Sequence, residues 1–326
     1  MDVAQSPHKI RVVAKALALV LLMLPASILT GCGSGLRESE TVGLGLPRLR
    51  FPVSGDIQVP ERGKYQRVPL VVILDEGPPV STDLRRRYDA RMGSLAAEIR
   101  GRGYAVWRPL QKAWSRDRIL LRPAEELAST VRLGILQARG IPALDSCGAV
   151  LIGLGTGGVV GSMVASGMPD DVRALALINT PARSVDRILA STSWRDSVVT
   201  ARLRRIFDGL WAGAYQPDDP VLNSTAANWL SWMTITDETV TRVAELDMPV
   251  LVVQGSSDHM IPLLDVERFR RAIAGRPQSV AHTAIGVTHD LRDELPDPLQ
   301  DPDILSPRLK PIVMTWLARV ARPSRR

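Results

Sequence analysis

Two side chains able to form a proton relay stand at equivalent places in this sequence. Asp258 lies in Gly255-Ser-Ser-Asp258-His-Met-Ile-Pro262, on the turn that leaves the apolar run 249–254 (PVLVVQ). His289 lies in Gly286-Val-Thr-His289-Asp-Leu, on the turn that leaves the run 280–285. A carboxylate that holds an imidazole in one tautomer makes it a general base, able to activate a hydroxyl or a water. Upstream, Ala149-Val-Leu-Ile-Gly153-Leu-Gly155-Thr156-Gly157-Gly158 reads as a strand, a glycine-rich turn and a helix. The order turn, acid, histidine is that of a G-x-S-x-G nucleophile elbow followed by its partners. Laid on residues 153–157, that pattern puts Gly155 at the nucleophile position. Thr156 then falls where a backbone N–H stabilises an oxyanion.

The same glycines admit another chemistry. Gly153, Gly155 and Gly158 satisfy G-x-G-x-x-G, with a helix N-terminus ready for a pyrophosphate. The acidic residue expected about 20 positions on to hold a ribose is missing, because the next strand ends in Asn179. Other hydroxyls near the elbow are poorly placed. Thr156 follows the nucleophile position and its side chain points elsewhere, Ser162 lies about two turns into the helix, and Ser256 and Ser257 flank the acid. Three readings therefore stand side by side. The site has lost its nucleophile, or Asp258–His289 activates a water (or Thr156 attacks) on an ester or amide, or the glycines hold a dinucleotide.

Bringing the loops together requires strands that run the same way. Short apolar runs at 68–74, 104–108, 149–152, 174–178, 249–254 and 280–285 read as strands. Helical patterns at 91–100, 124–138, 157–166, 263–274 and 309–320 separate or follow them. Strands alternating with helix-length segments imply right-handed crossovers and a mostly parallel sheet, an α/β fold with helices on both faces. Residues 183–247 interrupt the alternation with Trp194, Trp211, Trp229 and Trp232 on helix-like stretches, and read as a helical cap inserted over one sheet end.

Composition narrows the classes. At 45% hydrophobic and 23% charged the chain is globular rather than disordered. Its +7 charge is scattered arginine without a basic block or stacking aromatics, which argues against nucleic acid. Two cysteines make neither a disulfide scaffold nor a structural zinc site. Cys147 precedes an apolar run and reads as a small buried residue.

The first thirty-one residues read as an address. A basic start and the apolar run 16–24 suit a secretory signal rather than a spanning helix. Their ending, Leu29-Thr30-Gly31-Cys32, resembles the lipobox of bacterial lipoproteins, which implies acylation of Cys32 and attachment to membrane lipid at the cell envelope. Gly33 after Cys32 implies the outer membrane in a diderm host. Residues 32–48 then read as a tether and 49–326 as the folded domain.

Residues of about 50–320 resemble the α/β-hydrolase family, especially its bacterial esterase and serine-peptidase-like branch. The resemblance rests on VVILDEGPP at 71–79, in the place of an oxyanion loop, and GRGYAVWRP at 101–109. It continues with the elbow, LINTP at 177–181, the acid and histidine loops, and Ser306-Pro307 ahead of Trp316-Leu317. It implies an α/β-hydrolase fold, Asp258 and His289 as acid and base, and oxyanion donors at the backbone of Thr156 and Glu76. A small ester or peptide would bind under the cap. Two departures stand out: Gly155 has no side chain, and Asp75-Glu76 replaces the usual His-Gly or Gly-Ser. The expectation is a lipid-anchored protein of hydrolase lineage whose catalysis is degenerate, and on that reading no metal and no cofactor is expected.

Overall fold

Near-continuous apolar runs such as LVVIL and AVLIGL cannot lie on a sheet with one wet face, because both faces of each strand must be covered. The computed structural model, which describes residues 48–50, 56–60, 67–75, 82–109, 123–192, 197–295 and 305–322, covers them with helices on both sides. Its main sheet runs in the order β1-β2-β4-β3-β5-β6-β9-β10. The strands are β1 (Arg48–Arg50), β2 (Asp56–Gln58), β3 (Leu70–Leu74), β4 (Ala105–Trp107), β5 (Ala149–Leu154), β6 (Val172–Ile178), β9 (Val250–Ser257) and β10 (Val280–Thr288). Pairing is antiparallel for β1 with β2 and β2 with β4, and parallel from β4 through β10.

Side chains alternate between two cores, as a period of two demands. Val72, Leu74, Leu151, Leu175, Leu177 and Val252 pack under α2 (Ala124–Ala138), α3 (Thr156–Gly167) and α8 (Leu263–Ala272). Val71, Ile73, Val150, Ile152, Ala176 and Val253 pack under α1 (Thr82–Gly101) and α9 (Leu309–Val320).

Between β6 and β9 the chain builds α4 (Val185–Thr192), α5 (Ser197–Trp211), the short pair β7 (Pro220–Val221) and β8 (Ser224–Thr225), α6 (Ala226–Asp237) and α7 (Thr239–Ala244). This segment has a small core of its own, in which Phe207 meets Trp229 edge to face at 5.5 Å. Trp229 donates to the Val221 carbonyl, whereas Trp232 packs into the main core. Trp211 is 52% exposed and donates to Asp186. The segment is rooted where buried Asp265 of α8 accepts the Ala182 N–H and pairs with Arg183 at 2.8 Å.

Several boundaries differ from the sequence reading. α1 begins at Thr82 rather than near Arg91, because its first turns (TDLRRRYDA) are too charged to show an apolar period. β10 runs to Thr288, and the antiparallel edge strands β1 and β2 are too short to show alternation. Cys147 is exposed, not buried: it sits on a turn where its N–H bonds the Asp145 carboxylate, and β5 starts only at Ala149. The expectations for residues 1–31, Cys32, the tether short of Arg48, Glu76 and Trp194 lie outside the described residues.

α2 meets the sheet through a glycine. A Cβ at Gly134 would lie 2.0 Å from the fully buried Trp107 ring. In an exposed helix Gly→Ala stabilises by about 1 kcal/mol. Here the overlap reverses the sign, and Gly134→Ala should destabilise by about 1–3 kcal/mol, seen as a lowered Tm in thermal unfolding.

Candidate active site

Parallel strands deliver the loops after β3, β5, β6, β9 and β10 to one carboxyl edge, the place where open α/β sheets build their sites. The elbow is a turn of extreme backbone geometry. Gly155 has φ 52° and ψ −123° and caps α3. That conformation is the first central position of a type II′ turn, which glycine adopts without strain. Its N–H donates to the Ile178 carbonyl at 2.9 Å, and its own carbonyl accepts from the Gly158 N–H at 3.1 Å. Thr156, half-buried, opens α3.

The neighbouring glycines are demanded by packing. A Cβ on Gly153 would lie 2.4 Å from the Gly158 Cα, one on Gly157 2.1 Å from the Leu74 carbonyl, and one on Gly158 2.0 Å from the Thr180 hydroxyl. Close approach of β5, α3 and β3 thus accounts for the glycines at 153, 157 and 158 without any ligand.

Asp258 has a side chain 0% exposed. Its Oδ1 accepts the Met260 and Ile261 N–H groups at 2.7 and 2.8 Å, and its Oδ2 accepts from Gln254 Nε2 at 2.9 Å. The same Oδ2 lies 2.8 Å from His289 Nδ1. An ionised carboxylate only accepts, so Nδ1 carries the proton and Nε2 is the basic nitrogen. The imidazole is 18% exposed.

Convergence of the two loops depends on Gly255, because a Cβ there would lie 2.2 Å from the Val287 carbonyl. The histidine turn closes on itself, with the Thr288 N–H on the Arg292 carbonyl at 2.9 Å and the Thr288 hydroxyl on Asp290 at 2.6 Å. Arg91, only 2% exposed on α1, reaches Asp290 at 3.2 Å.

The other hydroxyls have structural uses. Buried Ser162 donates to the Val159 carbonyl and accepts from Arg242; Ser256 accepts from the Gly286 N–H; Ser257 donates to Glu294. Asp75 turns its carboxylate to Arg108 at 2.8 Å. Burial pushes the Asp75 carboxyl up, and Arg108, which follows β4, only partly offsets this. Among the described residues no group of three His, Cys, Asp or Glu is placed to hold a metal.

Sequence reasoning missed three supports of the site. Gln254, the one polar residue of a buried run and four positions before the acid, could have been singled out. Asn179 was visible as a polar residue ending a buried strand. Arg91 left no sequence signal, because an arginine in a charged helix reads as exposed. The Arg91–Asp290 contact generates a pH prediction. Burial raises the Asp290 carboxyl, but the Thr288 hydroxyl, Arg91 and Arg292 together outweigh it and hold its pKa below the ordinary value. A carboxyl depressed on folding stabilises above its unfolded pKa and loses that contribution as pH falls through the folded value. Asp290→Asn should therefore destabilise at neutral pH, and its deficit should shrink in acid, as denaturant midpoints at both pH values would register.

No family model matches the chain, and no curated protein matches it. Solved structures do. Est1E from Butyrivibrio proteoclasticus is similar at 15% identity and a TM-score of 0.53, covering 87% of this chain and 100% of that one. A structure described with LipS and LipT, two metagenome-derived lipolytic enzymes, is similar at 16% identity and a TM-score of 0.54, covering 82% and 97%. The esterase domain of a Rhodothermus marinus protein is similar at 15% identity and a TM-score of 0.51, covering 81% and 92%. At such identities the likeness is one of architecture, and with the sheet order above it gives this chain the α/β-hydrolase fold.

Proposed function

We propose that this chain descends from serine esterases or peptidases, has kept the acid–base half of their site, and has given up the nucleophile. It now binds a small ester or peptide at the cell envelope, under the cap formed by 183–247. The observation that carries this reading is Gly155, which caps α3 at φ 52° and ψ −123° where the G-x-S-x-G pattern would put a serine, in a chain whose Asp258 and His289 side chains lie 2.8 Å apart. Without a side chain there, no covalent intermediate can form at that position. In a serine triad, loss of the nucleophile costs on the order of 10⁶ in kcat and leaves about 10³–10⁴ over the uncatalysed rate. The assembled pair also supports a second reading, in which His289 Nε2 activates a water and hydrolysis is slow.

Restoring the nucleophile tests both. Gly155→Ser should be labelled at position 155 by a fluorophosphonate probe and should gain ester turnover that His289→Ala abolishes. A non-glycine residue at this backbone should cost on the order of 1–3 kcal/mol of stability. A folded variant that neither labels nor turns over would mean that the pocket has diverged beyond its nucleophile. A parent chain as fast as the variant would overturn the degenerate reading.

The envelope location rests on the lipobox ending at Cys32. Acyl chains on that one residue would hold the domain at a membrane surface. Cys32→Ser should lose acylation and move the protein from membrane to soluble fractions; unchanged fractionation would overturn the anchor.

A further inference from the structure

Asn179 is neither acid nor base, yet its amide touches both sides of the pair. It follows β6 in a left-handed conformation, φ 47°, and is 1% exposed. Its Oδ1 accepts the Gly255 N–H at 2.8 Å, on the strand that leads to Asp258. Its Nδ2 donates to the Thr288 carbonyl at 3.1 Å and to the His289 carbonyl at 3.0 Å, on the turn that carries the imidazole. We propose that Asn179 is a positioning residue, whose single amide sets the separation between β9 and the backbone of His289 and so presents Nδ1 to Asp258.

The sheet leaves this task undone. β9 and β10 pair in regular register as far as Ala284 opposite Gly255, and the ladder is irregular between Ala284 and Thr288. Regular pairing therefore ends five residues before His289, with only Thr288 opposite Ser257 beyond it, and the neighbouring strand β6 supplies a further constraint from across β9. The chemistry selects the residue type. The place needs one acceptor and two donated hydrogens on one short side chain, on a left-handed backbone that asparagine tolerates better than most residues. Aspartate would match the shape but turn a negative charge on two carbonyl oxygens.

This inference rests on the reading of Asp258 and His289 as an acid–base pair, and one spectrum separates the two. A low-field proton resonance from His289 Nδ1–H should appear in the parent chain and vanish in His289→Ala. Asn179→Asp, which keeps the acceptor and loses the donors, should weaken or abolish that resonance while circular dichroism and cooperative unfolding persist. Asn179→Gly, which keeps the left-handed backbone and removes the amide, should do the same. In a Gly155→Ser background both changes should lower kcat about tenfold to a hundredfold, as expected for a displaced catalytic group, with KM nearly unchanged. A resonance that survives in both variants overturns the role of Asn179 and leaves the acid–base reading standing. Its absence from the parent chain overturns the acid–base reading and this inference with it. Loss of the fold in both variants, or a KM effect alone, overturns positioning in favour of a purely structural role.

Discussion

Backbones at the carboxyl edge of this sheet approach more closely than side chains permit. The Leu74 carbonyl sits against Gly157, the Gly158 Cα against Gly153, and the Val287 carbonyl against Gly255, where a Cβ would lie 2.1, 2.4 and 2.2 Å away respectively. Interiors are packed to crystal density, so such contacts cannot be relieved by small shifts. They bring β3 and α3 together at the elbow, and β9 and β10 together where Asp258 and His289 leave them. The geometry of the site follows from these bare contacts, and the polar groups refine it.

Those polar groups hold Asp258 and His289 together whatever stands at position 155. Asp258 is a buried carboxylate whose oxygens accept from Met260, Ile261, Gln254 and His289. Hydrogen bonds to a charged group each contribute about 1.5–3 kcal/mol, and removal of one partner leaves an uncompensated charge that costs more. The network is therefore held by folding stability whether or not it performs chemistry. Gly155 carries no comparable constraint, because glycine relieves the strain of its turn. Glycine at 155 is favoured by the backbone of its turn, and loss of the Asp258–His289 pair is costly. The pair alone is accordingly weak evidence of catalysis.

Asp75 illustrates how sequence proximity misleads. Its side chain follows β3 at the place that the resemblance gives to an oxyanion loop. In the fold its carboxylate faces Arg108 at the end of adjacent β4, which partly offsets the cost of burying it. Only the pairing of β3 with β4 brings the arginine within reach, and no spacing rule links positions 75 and 108.

The sequence by itself determined the α/β alternation, the two loops that carry Asp258 and His289, and the glycine at the elbow. These depend on local period and on strand order, and the parallel sheet converts order directly into a shared edge. The bounds of α2 and α9 were legible to the residue, because their apolar stripes begin and end with the helix. Tertiary structure alone decided the rest: the exposure of Cys147, the burial of Arg91, the pairing of Asp75 with Arg108, and the bridge that Asn179 makes from β6 to β9 and the histidine turn. Each of these depends on which residues distant in the chain share a neighbourhood. An asparagine, an arginine or a cysteine has the same local propensities whether its partners come to it or water does, so the sequence could not distinguish the two outcomes before the strands were in place.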